Sequence, residues 1–265
     1  MVLIVSIACK TAKSFKFDVK RTMSALFLSL WSLTSSCVST PAEYGIQDQA
    51  VAFIPARIAV LPCKIWPRGL NYRGLPLSNT GDEKMQELCT KTDAFIIDGF
   101  AGQPYMRGIS PNVVAQLLAK NEKSDLLDTM SQTLLSDDGC SDCNSPITYY
   151  KKAITDQNDW RIWLNSFSRA VANSDAVLLP FVIFSYEGRI NDRGIETSYR
   201  QAGLLVFLID TNSGKLVWAG GRQAEIKHQG EPYDSKKPDI PSWQALEQRL
   251  FVSDIWQDFP GRQNY

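Results

Sequence analysis

Apolar positions fall along this chain in two rhythms, and the change between them organises the fold. Ala56–Cys63, ARIAVLPC, is a short β-branched run between prolines and predicts a first, buried strand. Residues 64–80 are rich in Gly, Pro and Asn and predict a loop. From Asp82 the pattern turns helical: DEKMQELCTK has acids first and lysine last, with Met85, Leu88 and Cys89 on one face. Ala94–Asp98, AFIID, predicts a second short strand. Ser110-Pro111 is an N-cap followed by proline at the first helical position, and Val113, Val114, Leu117 and Leu118 form the stripe behind it. Further helices are predicted over 124–135 and 147–172. In the second of these, Trp160, Trp163, Leu164, Phe167 and Val171 recur at helical spacing. Such an aromatic row can hold a ligand, but core packing is the favoured reading.

The carboxy-terminal third reads as strands. Residues 175–185, DAVLLPFVIFS, are continuously apolar, as a central strand requires. A polar connection is expected over 187–197. Residues 199–210, YRQAGLLVFLID, then form the strongest strand signal in the chain. TNSG makes a turn, and KLVWAGGRQAEIK returns antiparallel. A final amphipathic helix is predicted over 242–259. Helices packed on a mixed sheet with an antiparallel carboxy-terminal hairpin define the predicted class, α/β.

The amino-terminal segment has a different character. Lys20 and Arg21 precede MSALFLSLWSLTSS, whose apolar centre of roughly ten residues is too short for a permanent membrane span. Small hydroxyl residues follow, and then Cys37. A basic region, a short apolar region, small residues and a cysteine make the pattern of an exported chain whose cysteine thiol receives a lipid; an ordinary signal peptide cut nearby and an uncleaved anchor are the alternative readings. Thr34, Ser35 and Ser36 occupy the places before it, with Leu33 one place early for the usual pattern. The expected organisation is a signal peptide over 1–36, with either a start near Met23 or a long basic region, then a lipidated tether over 37–55. A single periplasmic domain follows over 56–265, with a helical insertion at 110–172. Several acyl chains hold a protein on a bilayer where one barely does. Val38 after the cysteine, rather than Asp, favours the outer membrane.

Composition narrows the chemistry. The chain has 265 residues, 28 basic and 28 acidic, so its formal net charge is zero. No basic excess points to a nucleic-acid partner. The single histidine, His228, is expected in a solvated loop, which leaves little basis for a His-rich metal site or a Ser-His-Asp triad. Beyond Cys9 and Cys37 there are four cysteines. Cys140 and Cys143 stand in the loop DDGCSDCNSP, where a local disulfide is expected. Asp137, Asp138 and Asp142 around them disfavour a low-pKa redox pair, and zinc would need Cys63 and Cys89 close by. Cys63 and Cys89 are a second possible bridge. Four cysteines allow three connectivities. No cofactor is expected. The glycine-rich GFAGQPYMRG lacks the lysine and hydroxyl of a phosphate-binding loop. For an envelope hydrolase, the candidate acid and base are Asp98, Glu187 and Asp192, which glycoside chemistry requires about 5–10 Å apart.

The block DAVLLPFV…YRQAGLLVFLIDTNSGKLVWAGG resembles the paired strands of lipoproteins related to the curli-secretion lipoprotein CsgG and the penicillin-binding-protein activator LpoB. The stretch IIDGFAGQPYMRGISPNVVAQLL is similar to lipoproteins of myxobacteria and leptospires. The resemblance implies a periplasm-facing, non-enzymatic domain anchored by its lipid, working on other envelope proteins and open to oligomerisation. It transfers no binding residue. The long alternating hairpins of a membrane pore are not evident in the sequence, so an export-pore role stands only as an alternative.

Overall fold

The computed structural model describes residues 46–47, 53–66, 78–135, 146–154, 157–232 and 236–262. Cys37, Cys140, Cys143 and most of the predicted tether lie outside them. Eight strands form one mixed sheet: β1 (Ile46–Gln47), β2 (Arg57–Val60), β3 (Lys64–Ile65), β4 (Ser78–Asn79), β5 (Arg107–Ile109), β6 (Ala176–Asp192), β7 (Ile195–Asp210) and β8 (Leu216–Gln229). The main path runs β1-β8-β7-β6-β2-β5, while β3 and β4 also lie along β6. β2 is parallel to β5 and β6, and β3 is parallel to β6; the remaining pairs are antiparallel. The predicted α/β class with a mixed sheet is thus the observed one.

Helices cover both faces. On one face lie α2 (Pro111–Lys120), α3 (Asp125–Leu135), α4 (Pro146–Tyr149) with a following π-helical turn (Tyr150–Ile154), and α5 (Asn158–Ala170). Their buried residues meet Val177, Leu179, Phe181, Leu205, Phe207 and Ile209 of the sheet. On the other face lie α1 (Asp82–Gly99), α6 (Trp243–Leu250) and a 3-10 turn (Ser253–Trp256). These pack on Ile58, Val60, Leu178, Val206, Leu208 and Trp218. The alternation of neighbours between two cores follows from the period of two along a strand. It also explains why the central strands read as unbroken apolar runs, since both of their faces are covered.

Five predictions are corrected. The loop expected over 64–80 carries a short strand at each end, β3 and β4, both paired with β6. Ala94–Asp98 is not a strand but the continuation of α1. Nothing between Asp82 and Gly99 breaks the helix, and Met85, Leu88, Cys89, Thr92 and Ile96 form its buried stripe. The predicted helix over 147–172 is divided: Gln157 is extended (φ −77°, ψ 121°) and a new helix starts after it. The helix expected over 242–259 ends at Leu250, where Phe251 leaves helical geometry (φ −93°, ψ 69°). Finally, 187–197 is no loose connection. β6 runs to Asp192 and β7 starts at Ile195. Arg193 (φ 53°) and Gly194 (φ 82°) make the two-residue turn, and Asn191 Oδ1 accepts the Gly194 N–H at 3.1 Å.

Predicted caps and turns appear where the chemistry puts them. The Ser110 hydroxyl accepts the Val113 N–H with Pro111 at the first helical position. The Asp210 carboxylate accepts the N–H groups of Asn212 and Ser213, closing the TNSG turn before β8.

Candidate interaction surface

The inner half of the β6–β7–β8 meander is core. Its outer half carries charged and polar side chains on both faces. Gly230 and residues 236–242 lie along this outer half. Ser198, fully buried, donates its hydroxyl to the Asp239 carbonyl at 2.7 Å, and His228 Nδ1 lies 3.0 Å from the same oxygen. Only an N–H can bond that carbonyl, so Nδ1 carries the hydrogen. Arg189 Nε donates to the Pro238 carbonyl at 3.2 Å. The histidine expected in a loop therefore sits on β8, beside Ser198, as a fastener for residues 236–242. A serine and a histidine do meet here, but the third partner is a main-chain carbonyl, and the hydroxyl is already donated to it.

Where residues 236–242 lead into α6, Trp243 lies between two cations. Lys84 Nζ and the Arg200 guanidinium are each 4.4 Å from its ring centre. Arg200 pairs with Glu187 at 2.5 Å. Lys91 bridges Glu87 (2.9 Å) and Glu247 (2.7 Å), tying α1 to α6. The two lysines beside Glu87 hold its carboxyl down to about 2, with hydrogen bonding from Lys84 the larger cause.

The outer edge of the sheet is uneven. β7 pairs with β8 from Leu216 to Gln229, but β1 meets β8 only at Ala219 and Trp218. Among the described residues, no strand runs beside Gly220–Ile226. Gly220 is fixed as glycine, because a Cβ there would lie 2.2 Å from the Trp218 ring and 2.6 Å from the Ile255 carbonyl. Arg222 reaches Asp254 and donates to the Arg249 carbonyl on one face. Glu225 accepts from Gln201 Nε2 on the other.

The remaining candidate residues are dispersed. Cys63 and Cys89 are bridged, with their Cα atoms 5.1 Å apart, joining the end of β2 to α1. One turn beyond Cys89, Asp93 accepts the Cys63 N–H at 2.9 Å, and burial pushes its carboxyl up to about 6. Sequence reasoning missed Asp93; the signal was its place four residues after a buried cysteine on the same helical face. Asp98 is exposed near the end of α1, Glu187 is paired with Arg200, and Asp192 is exposed at the hairpin turn. Glu187 and Asp192 lie on one strand about 17 Å apart at 3.4 Å per residue, outside the spacing that joint acid-base work needs. Among the described residues, no group of three or more His, Cys, Asp or Glu could hold a metal. No helix there is long and apolar enough to cross a membrane.

The tryptophan row is core. Trp160 and Trp163 stack at 4.9 Å, the Trp160 indole donates to the Tyr150 hydroxyl at 2.8 Å, and Trp163 donates to the Leu126 carbonyl at 2.7 Å. Tyr150 donates in turn to the Gly214 carbonyl at 2.9 Å. Every polar end is satisfied from within the fold.

The fold and this surface define an α/β protein with a three-layer body and a polar hairpin extending from it. No protein-family model matches the chain, and no curated protein matches it in sequence. Among solved structures it is similar to the lipoprotein GNA1162 from Neisseria meningitidis. That likeness has 14% identity and TM-score 0.35, covering 65% of this chain and 84% of that one. It is also similar to the PelC dodecamer from Paraburkholderia phytofirmans, with 10% identity and TM-score 0.31, covering 79% and 89%. A third is the LpoB C-terminal domain from Salmonella enterica, with 10% identity and TM-score 0.29, covering 66% and 87%. Bacterial lipoproteins, the LpoB domain included, are thus among the structures it resembles. At TM-scores below 0.5 the likenesses carry no conclusion about this chain. No sequence relative stands behind the similarity to lipoproteins of myxobacteria and leptospires.

Proposed function

We propose that the chain is a lipid-anchored protein of the bacterial cell envelope that works by binding other envelope proteins and performs no catalysis. The observation that carries this reading is the order of the sequence: basic residues, a short apolar stretch, hydroxyl residues, Cys37, a polar tether, and then an α/β body. A lipid on Cys37 holds that body on a leash of about nine residues up to Ile46, at most about 30 Å. The exposed outer hairpin is the surface that a partner meets, because its polar groups are ordered by residues 236–242. The periplasmic side of the outer membrane is the location that Val38 favours.

Two measurements test this. Mass spectrometry of the mature amino terminus is expected to show Cys37 as the first residue carrying acyl chains, and Cys37→Ser is expected to move the protein from the membrane fraction to the soluble one. Unchanged processing and retention in Cys37→Ser would end the anchored reading. Crosslinking in intact envelopes, with photo-reactive groups at Asn191 and Arg193, is expected to capture a protein partner. If the same groups capture nothing while the anchor is intact, the hairpin is not the contact surface.

A further inference from the structure

We propose that the row Arg189–Ser198–His228, with the slot between Lys84 and Arg200, is a docking site for an extended, proline-bearing peptide of a partner protein. Residues 238–243, PDIPSW, are its built-in occupant. The row residues stand directly opposite one another on β6, β7 and β8, so their side chains share one face of the sheet. All of them donate to the main chain of consecutive residues: Arg189 to the Pro238 carbonyl, Ser198 and His228 to the Asp239 carbonyl. Glu187 and Arg200 form the next row inward on the same face, about 7 Å away. There the Trp243 ring lies against the Arg200 guanidinium and Lys84.

The row reads carbonyls, which every residue carries. Asp239 and Ser242 of the occupant are exposed, while Pro241 is buried and the Trp243 ring fills the slot. The demand on a replacement is therefore strict in shape and loose in sequence: an extended backbone that crosses the strands, proline, and an aromatic ring a few residues on. Proline suits a segment that crosses strands, because it has no N–H to leave without a ladder partner. Its fixed φ also lowers the ordering cost of docking. The occupant is held through individually weak hydrogen bonds, and Arg189 and His228 are exposed, so it is the part of the outer half that opens most easily. A partner peptide takes its place at the same donor atoms. This gives the partner of the proposed function its chemistry, and rests on that reading for the partner's place in the envelope.

The test uses the full chain carrying Cys37→Ser and a fluorescent peptide, KKPDIPSW, the chain's own residues 236–243. Pro238→Gly with Pro241→Gly loosens the built-in occupant and leaves the row and the slot untouched. That pair is expected to bind the peptide about tenfold more tightly than the parent chain. Adding Ser198→Ala is expected to weaken binding about fivefold, with the inner-strand amides still protected from exchange. A peptide of the same composition in scrambled order is expected not to bind. Equal binding of the two peptides, equal affinity in the parent chain and the glycine pair, or indifference to Ser198→Ala would overturn the proposal. A second measurement needs no substitution in the site. The peptide with a photo-reactive group in place of Ile240 is expected to label the parent chain between Glu187 and His228, and labelling elsewhere would equally overturn it. Neither assay uses the anchor or a cellular partner, so their failure and that of envelope crosslinking at Asn191 and Arg193 are separable.

Discussion

The inner and outer halves of the β6–β7–β8 meander are built from the same three strands and held by different forces. From Ala176 to Phe184 on β6, and from Ala202 to Ile209 on β7, every side chain is buried under helices of one layer or the other. From Glu187 outward the strands keep their register, but apolar burial gives way to hydrogen bonds and ion pairs: Glu187 with Arg200, Ser198 and His228 with the Asp239 carbonyl, and Arg189 with the Pro238 carbonyl. The inner half is stabilised by area removed from water, at roughly 25 cal/mol per Å². The outer half depends on contacts of about 1 kcal/mol each. The stable half makes the body, and in the proposed function the marginal half is the part that a partner would engage without disturbing the core.

The largest effect is therefore expected inside. Phe207→Ala removes a buried ring that packs on Phe181 and Tyr150, and should cost about 3–5 kcal/mol in denaturant unfolding. Ile190→Ala, on the half-buried outer part of β6, should cost less than about 1 kcal/mol. Similar losses at the two sites would show that the meander is one energetic unit.

The same contrast governs what the sequence reveals. The inner strands are legible because burial on both faces writes itself as DAVLLPFVIFS and AGLLVFLID. The outer half is illegible by hydrophobicity: EGRIND and GIETSYR contain too few apolar residues to register as strand. Only the Asp-Arg-Gly before Ile195 hints at a two-residue hairpin turn. AFIID was ambiguous for a different reason. A five-residue apolar run fits a short strand, and only the uninterrupted stripe from Met85 through Ile96 decides for helix. His228 and Ser198 could not be joined in advance, because they face each other across β7 and β8 just beyond the stretch that reads as strand in the sequence. Asp93 was passed over because its place one turn after Cys89 shows only that it shares a face with that cysteine, while its partner, the Cys63 N–H, is main chain and has no signature in a sequence.

Next in size is the covalent tie. The Cys63–Cys89 bridge closes 26 residues between the end of β2 and α1, so Cys63→Ala with Cys89→Ala should cost about 3 kcal/mol, with loss concentrated in the layer containing α1. Exchange protection of α1 amides against those of α5 would show it. An equal loss in both layers would mean that the two faces unfold as one.

In the outer half, Glu187→Gln should cost about 1–2 kcal/mol. It leaves the Arg200 guanidinium largely buried against Trp243 without its counter-charge. The effect should appear as faster exchange from Ser198 to Gln201 on β7, with the inner strands unchanged. If the inner strands loosened as well, the proposed division of the meander would be wrong.

The smallest effect distinguishes the halves by pH. Burial raises the Asp93 carboxyl from 3.8 to about 6. A group raised in the folded state contributes stability that is fully present below the unfolded pKa and is lost as pH rises through the folded one. Asp93 should therefore weaken the inner α1 layer between about pH 4 and pH 6. Its partial exposure to solvent keeps the loss to about 1 kcal/mol. Glu87 acts in the opposite sense: held down from 4.5 to about 2 by its lysines, it contributes fully above its ordinary pKa and loses that contribution progressively as pH falls from about 4.5 to about 2. Asp93→Asn keeps an oxygen for the Cys63 N–H and cannot ionise. Denaturation midpoints from pH 4 to pH 7 should slope downward in the native chain and flatten in Asp93→Asn. A slope that survives the substitution would assign the titration to another group and leave the carboxylate beside the bridge without a role in the pH response.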